Sequence, residues 1–215
     1  MKAQEIYDIL RAGGMTRAGA LGMLGNMMAE STLKPDIVQR GMTNLSDAEY
    51  TKLADEGKID FSKPIGYGLA QWTLKSRKAT LLAYAKQSGV SVGDGVMQCD
   101  FALLELREDF PALFKLLCES DNIDECADRI CDTYERPAVN NYMTRRDFAH
   151  KFESEIPAYA PPIKDPVTAT FPIDPTVLAF QLWMNYNGYT VEANGYKSKA
   201  FFQVLDQFVA DMKKC

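Results

Sequence analysis

The 215-residue chain has one histidine, His150, and its five cysteines (Cys99, Cys118, Cys126, Cys131, Cys215) include no C-x-x-C pair. That scarcity speaks against a zinc ribbon and a disulfide framework, and leaves free thiols in a reducing compartment as the plainer expectation. It also leaves little for a Cys–His peptidase or amidase. None of the cysteines lies in a Gly-rich or helix-starting context that would lower a thiol pKa. Positive charge is not in excess either, since the formal net charge is −5. A basic field that would draw in nucleic acid or an anionic membrane is therefore missing, and neither partner is expected. No apolar run approaches the length of a membrane span, so membrane insertion is not expected. Glu5 and Asp8 interrupt the stretch that a signal peptide would keep apolar. The expectation is synthesis in a cytoplasm. No cofactor or metal site is suggested, and a monomer is the simplest state.

What is present is a 47% hydrophobic, 25% charged chain, enough for one main core and a small second module. Ala3 to Ala12 reads as a short amphipathic helix, with Ile6, Ile9 and Leu10 on one side, ended by Gly13-Gly14. Thr16 is a plausible N-cap for a helix running through Ala29. The turn-rich stretch from Lys34 through Gly57 to Pro64 has little apolar periodicity and reads as loop with a small hairpin. Thr73 then caps a helix over Leu74–Gln87 closed by Gly89. Three or four more helices are expected before Pro157, with apolar sets such as Phe101, Leu104, Phe114, Leu117 and Ile130. Six prolines at 157, 161, 162, 166, 172 and 175 mark an extended, semi-rigid linker. The expected division is a main domain over 1–157, a linker over 158–174, and a small helical module over 175–215. Nine of the 23 aromatic residues fall within 171–215. Residues 1–157 hold 19 Lys/Arg against 24 Asp/Glu, and 158–215 hold 5 against 5. Any grip of the tail on an acidic polymer would thus rest on shape and stacking.

Two segments carry chemistry. In Gly25-Asn26-Met27-Met28-Ala29-Glu30-Ser31, the residues Met23, Met27 and Glu30 share one helix face. A carboxyl on an apolar face is partly desolvated, which favours its neutral form and suits a proton donor. On spacing alone, a solvated glutamate at a fraying helix end is the commoner outcome. In Gly66-Tyr67-Gly68-Leu69-Ala70-Gln71-Trp72-Thr73 the two glycines permit tight backbone geometry or close approach of a ligand. Tyr67 and Trp72 offer flat faces for sugar rings, and Gln71 an amide that donates and accepts. A lone aromatic more often packs in a core.

Residues roughly 5–155 resemble the phage tail lysozyme family. The resemblance rests on Leu21-Gly22-Met23-Leu24-Gly25-Asn26-Met27-Met28-Ala29-Glu30-Ser31, on Gly66–Thr73 with Arg77-Lys78, and on Tyr134-Glu135-Arg136-Pro137-Ala138 with Arg145 or Arg146 downstream. It implies a mostly helical α+β fold, with a catalytic Glu at a helix C-terminus facing a Gly/Gln-containing hairpin across a sugar cleft. It further implies that Glu30 is the general acid, that Tyr67 and Gln71 line the site, and that bacterial peptidoglycan is the substrate. The expected reaction is cleavage of the β-1,4 bond between N-acetylmuramic acid and N-acetylglucosamine at the bacterial wall. The alternatives are a lytic transglycosylase using the same Glu30, or an inactive wall-adhesion protein. Tyr134-Glu135-Arg136-Pro137 reads as a helix-ending structural element. For the second carboxylate, Asp47, Asp55 and Asp60 all lie between the two motifs, and Asp55 is the first choice. Val177–Gln181, Asn187-Gly188-Tyr189 and Asn194-Gly195-Tyr196 resemble helical peptidoglycan-binding domains, with Asn-Gly where that pattern has Asp-Gly.

Overall fold

The computed structural model describes residues 1–157 together with Met184, Leu205 and Gln207. The expected linker and C-terminal module lie otherwise outside the described residues. The chain divides into a first unit, Met1–Val167, and a second, Thr168–Cys215. The first is built from α1 (Ala3–Ala12), α2 (Arg17–Ser31), α3 (Asp47–Asp55), α4 (Lys75–Ser88), α5 (Gly95–Glu108), α6 (Pro111–Glu119), α7 (Ile123–Ile130), a π-turn (Cys131–Glu135) and α8 (Tyr142–Glu155).

Helix α2 is the centre of this unit. Eleven of its fifteen residues are buried, and it packs against α1, α6, α7 and α8. A helix covered on so many sides needs little amphipathic patterning. Its glycines show how the coverage is achieved. A Cβ on Gly19 would run into the Leu117 backbone of α6, one on Gly22 into Cys126 and Ala127 of α7, and one on Gly25 into the Arg145 carbonyl of α8. Spaced three apart, the three glycines lie along one ridge, and each seats a different helix at backbone distance. Thr16 caps the start of α2 by accepting from the Gly19 N–H at 3.0 Å. Its hydroxyl also donates to Ser120 O at 2.6 Å, which pins that end to the end of α6.

Three local expectations are revised. The stretch read as loop contains α3, opened by a capping box in which Ser46 and Glu49 satisfy each other's backbone N–H groups. The signal was the Ser-x-x-Glu spacing, obscured by its polar, turn-like surroundings. Helix α4 begins at Lys75 and has no side-chain cap, because the Thr73 hydroxyl donates instead to Gln71 O at 2.9 Å. Among the described residues there is no strand ladder, and the small hairpin is not seen. Its place is taken by single antiparallel bridges, Val38 to Tyr67 and Tyr67 to Trp72. Tyr67 and Trp72 exchange backbone hydrogen bonds at 3.2 and 2.9 Å. A second rung cannot follow, because the Gly66 N–H donates to the Gln39 side chain at 3.0 Å and the chain turns into α4 by Lys75. The helical part of the expected fold stands, and the sheet part reduces to one closed turn.

Filling the α2 ridge should be costly. Gly25→Ala drives a methyl into the α8 backbone, and overpacking of this kind costs about 1–3 kcal/mol. Urea unfolding of Gly25→Ala should show a lower midpoint with an unchanged slope, whereas Gly57→Ala, with open space around its Cβ, should lose only the cost of its positive φ.

Candidate active site

A cleft of about 650 Å³ opens where the C-terminal end of α2, the 66–74 turn, the start of α4 and the π-turn meet. Glu30 and Gln71 both line it, and so do Arg77, Tyr134 and Glu135. Glu30 reaches the cleft because α2 ends one residue later, at Ser31, with Thr32 in the left-handed conformation.

Glu30 is gripped from behind. Its Oε1 accepts from Arg145 Nη2 at 2.6 Å, and the two side chains are 20% and 6% exposed respectively. The other terminal nitrogen of Arg145, Nη1, donates to Asn26 Oδ1 at 2.8 Å. Asn26 in turn donates to Gly22 O and Ala127 O at 2.9 and 3.0 Å. Asn26 sits one helical turn before Glu30, on the same face. One planar guanidinium thus fixes the two α2 side chains relative to α8, in the fork geometry to which arginine is suited. In the sequence Glu30 lies on an apolar helix face. The structure adds a cation to that face.

A second ionic centre braces the opposite wall. Glu105, buried on α5, accepts from Trp72 Nε1 (2.8 Å), Tyr134 Oη (2.8 Å) and Arg77 Nε and Nη2 (both 2.8 Å). The Arg77 guanidinium lies 4.4 Å from the Tyr134 ring centre. Both carboxylate oxygens of Glu105 are therefore occupied, and Arg77 is committed to it. Burial pushes the Tyr134 hydroxyl far above its usual range, with the Glu105 charge adding to the rise.

Other sequence-predicted residues lie elsewhere. Trp72 is fully buried behind the cleft, its indole N–H satisfied by Glu105. Tyr67 is likewise fully buried, its hydroxyl 2.7 Å from Thr51 Oγ1, with its ring against Phe61 and Tyr50. Neither ring lines the cleft; both take the core outcome, because a buried partner meets each polar tip. Asp55 accepts from Ser91 Oγ (2.6 Å) and the Val92 N–H (2.8 Å) and borders a separate depression with Asp36 and Asp94. It is a loop clamp outside the cleft. Asp47 accepts from the Val38 N–H, and Asp60 from Ser62. Gln71 has a φ of +43° and donates its amide to Ile37 O and Gly68 O at 3.3 and 3.1 Å, so it shapes the turn that it lines the cleft with. At Gly68, φ is +77° and a Cβ would strike Gln98, whose amide oxygen accepts from the Leu69 N–H. Here a glycine is required.

The carboxyl that sequence reasoning set aside is in the cleft. Glu135 ends the π-turn Cys131–Glu135, closed by the Arg136 N–H to Cys131 O bond at 2.9 Å. A π-turn inserts one residue into a helix, which rotates all that follows by about 100° and is often found at functional sites. Glu135 as a whole is half-buried, yet its Oε1 is sealed from solvent and has no hydrogen-bond partner. Burial pushes its carboxyl well above the usual carboxylate range, and the nearby charge of Glu30 adds to the rise, against Arg77 and Arg145. Among the described residues the cysteines offer no rival centre. None lines the cleft, and burial pushes the Cys99, Cys118 and Cys126 thiols up to about 12, 11 and 11. His150 is held between Glu153 and Asp124. Among the described residues, no group of three His, Cys, Asp or Glu could hold a metal ion, and no helix is long and apolar enough to cross a membrane.

The family model for phage tail lysozyme matches residues 1–155. The chain belongs to the phage tail lysozyme family. Morphogenesis protein 1 of Bacillus phage B103 is 32% identical in an alignment of 152 positions that covers 67% of this chain and 36% of that protein. The chain thus spans little more than a third of that relative's length. The family match covers the part of the chain that builds the cleft, so the lysozyme-like family and the Glu30 cleft are properties of the same unit.

The raised Glu135 value has a signed consequence. A carboxyl that holds its proton more tightly folded than unfolded contributes full stability below its unfolded pKa, about 4.3, and loses it as pH rises through the folded value. Glu135→Gln keeps the shape and cannot ionise. Its melting temperature should match the parent near pH 4 and exceed it increasingly toward neutral pH. An unchanging difference across that range would mean that Glu135 ionises as freely folded as unfolded.

Proposed function

We propose that this chain cuts the glycan strand of bacterial peptidoglycan at the β-1,4 bond between N-acetylmuramic acid and N-acetylglucosamine, with Glu30 as general acid. The observation that carries the reading is a cleft of about 650 Å³ lined by a carboxyl at the C-terminal end of a buried helix, in a member of the phage tail lysozyme family. Breaking a glycosidic bond requires a proton on the leaving oxygen and a negative environment for the charge that develops at the anomeric carbon. Glu30 supplies the first from a fixed position, since Arg145 and Asn26 remove its rotational freedom. Gln71 and the turn it braces form the facing wall. The action is on the cell wall, and the name of the Bacillus phage relative, a morphogenesis protein, favours a virion-associated setting for it. That name also supports a second reading, a wall-contacting tail component without turnover. The aromatic 175–215 segment would add a grip on the wall through stacking.

Glu30→Gln retains the hydrogen bond to Arg145 in shape but has no proton to give. It should remain folded and release soluble fragments from purified walls at least ~10²-fold more slowly than the parent. Mass spectrometry of the parent's products separates the chemistries: reducing ends mean hydrolysis, and 1,6-anhydro ends mean transglycosylation. If the parent itself releases nothing, the non-enzymatic reading takes over.

Removal of residues 158–215 tests the tail. The shortened chain should cut small soluble muropeptides at the parent's rate and clear intact walls more slowly, because a lost tether lowers the effective concentration at the wall. Equal rates on both substrates would leave the tail without a binding role.

A further inference from the structure

Three carboxyls and two guanidiniums meet around the cleft: Glu30 from α2, Glu105 from α5 and Glu135 from the π-turn, with Arg77 from α4 and Arg145 from α8. The cations are already taken. Arg77 makes two hydrogen bonds to Glu105, and Arg145 holds Glu30 and Asn26. Glu135 is left over, with a sealed oxygen that nothing satisfies. Buried polar groups are almost always paired, so an orphaned carboxyl oxygen in a cleft points to a partner that arrives from outside.

We infer that Glu135 is the second catalytic carboxyl, acting as the base that activates water opposite Glu30, and that the two share a single proton. This rests on the glycosidase reading above. In the cut, Glu30 gives its proton to the leaving oxygen as the anomeric C–O bond breaks, and the bonding pair stays with that oxygen. Water adds its oxygen to the anomeric carbon and passes a proton to the Glu135 carboxylate. The pair ends with the one proton it began with, now on Glu135, while Glu30 is an anion beside Arg145. The proton must return to Glu30 before the next cut. Two carboxyls that sense each other's charge lose their protons in steps that belong to the pair.

The tests use the full chain. Glu135→Gln should fold and lose at least ~10²-fold in fragment release at every pH. Glu135→Ala should be comparably slow and regain activity in sodium azide, which attacks without a base and leaves a glycosyl azide product. Independently of turnover, the Glu135 titration followed by carboxyl ¹³C NMR should move down by about one pH unit or more when Glu30 is replaced by Gln. Activity of Glu135→Gln within twofold of the parent, or a Glu135 titration indifferent to Glu30→Gln, would overturn the inference. A parent that cuts no walls while the two titrations remain coupled would instead sink the catalytic role and the glycosidase reading together. A parent that cuts, with a silent azide arm, removes the role of base alone.

Discussion

A carboxyl at the end of a helix buried on most sides needs a cation brought to it, and here that cation is Arg145. It comes from α8, 115 residues away in the chain, and lies 5% exposed between Asn26 and Glu30. The packing of α2 serves this meeting. Gly25 lets the α8 backbone approach at Arg145 itself, and Asn26 ties the same point to α7. Breaking a buried ion pair from one side costs more than the pair contributes, because the surviving charge is stranded. The grip is therefore a device for position, and its cost is met by the apolar contacts of Leu21, Met23, Leu24 and Met27.

The opposite wall uses the same arrangement. Glu105 gathers Trp72, Arg77 and Tyr134, so one buried carboxylate sets the inner surface of the 66–74 turn, the start of α4 and the π-turn. Lys78, one residue beyond Arg77, spans the neighbouring loop: its ammonium donates to Ile65 O at 2.6 Å and Lys63 O at 3.1 Å and lies 4.4 Å from the Phe61 ring centre. Burial holds that amine down to about 8. Each ionic group around the cleft has a fixed partner except Glu135, and fixed partners are what preorganise a site.

Local signals carried much of the fold. Gly13-Gly14, Thr16 and Gly89 punctuate α1, α2 and α4 where the residue chemistry requires. The Ser46–Glu49 box was equally local and was outweighed by the polar residues around it. What sequence could not supply was the partner of each polar tip. Trp72 and Tyr67 look like sugar platforms until Glu105 and Thr51 are seen to meet them from distant segments. Asp55 and Glu135 show the same point in reverse. Their surroundings in sequence suggest a site residue and a helix end. Ser91 and Val92 claim the first, while a single inserted residue in the α7 extension turns the second into the cleft.

The α2 ridge also bears on how the chain acquires its shape. The hydrogen bonds that complete α2 join it to residues 101 to 119 positions later, at Leu117, Ala127 and Arg145. Such pairings carry a large loop-closure entropy and are slow to form. During synthesis the second helix is made early, but its partners emerge only after most of the first unit has been translated. At about 5–20 residues per second that is a delay of several seconds. Through that interval an apolar, glycine-rich helix waits without its cover, and Glu30 waits without Arg145. The cleft is thus completed by the arrival of α8, and Glu30 has no fixed position until that helix docks.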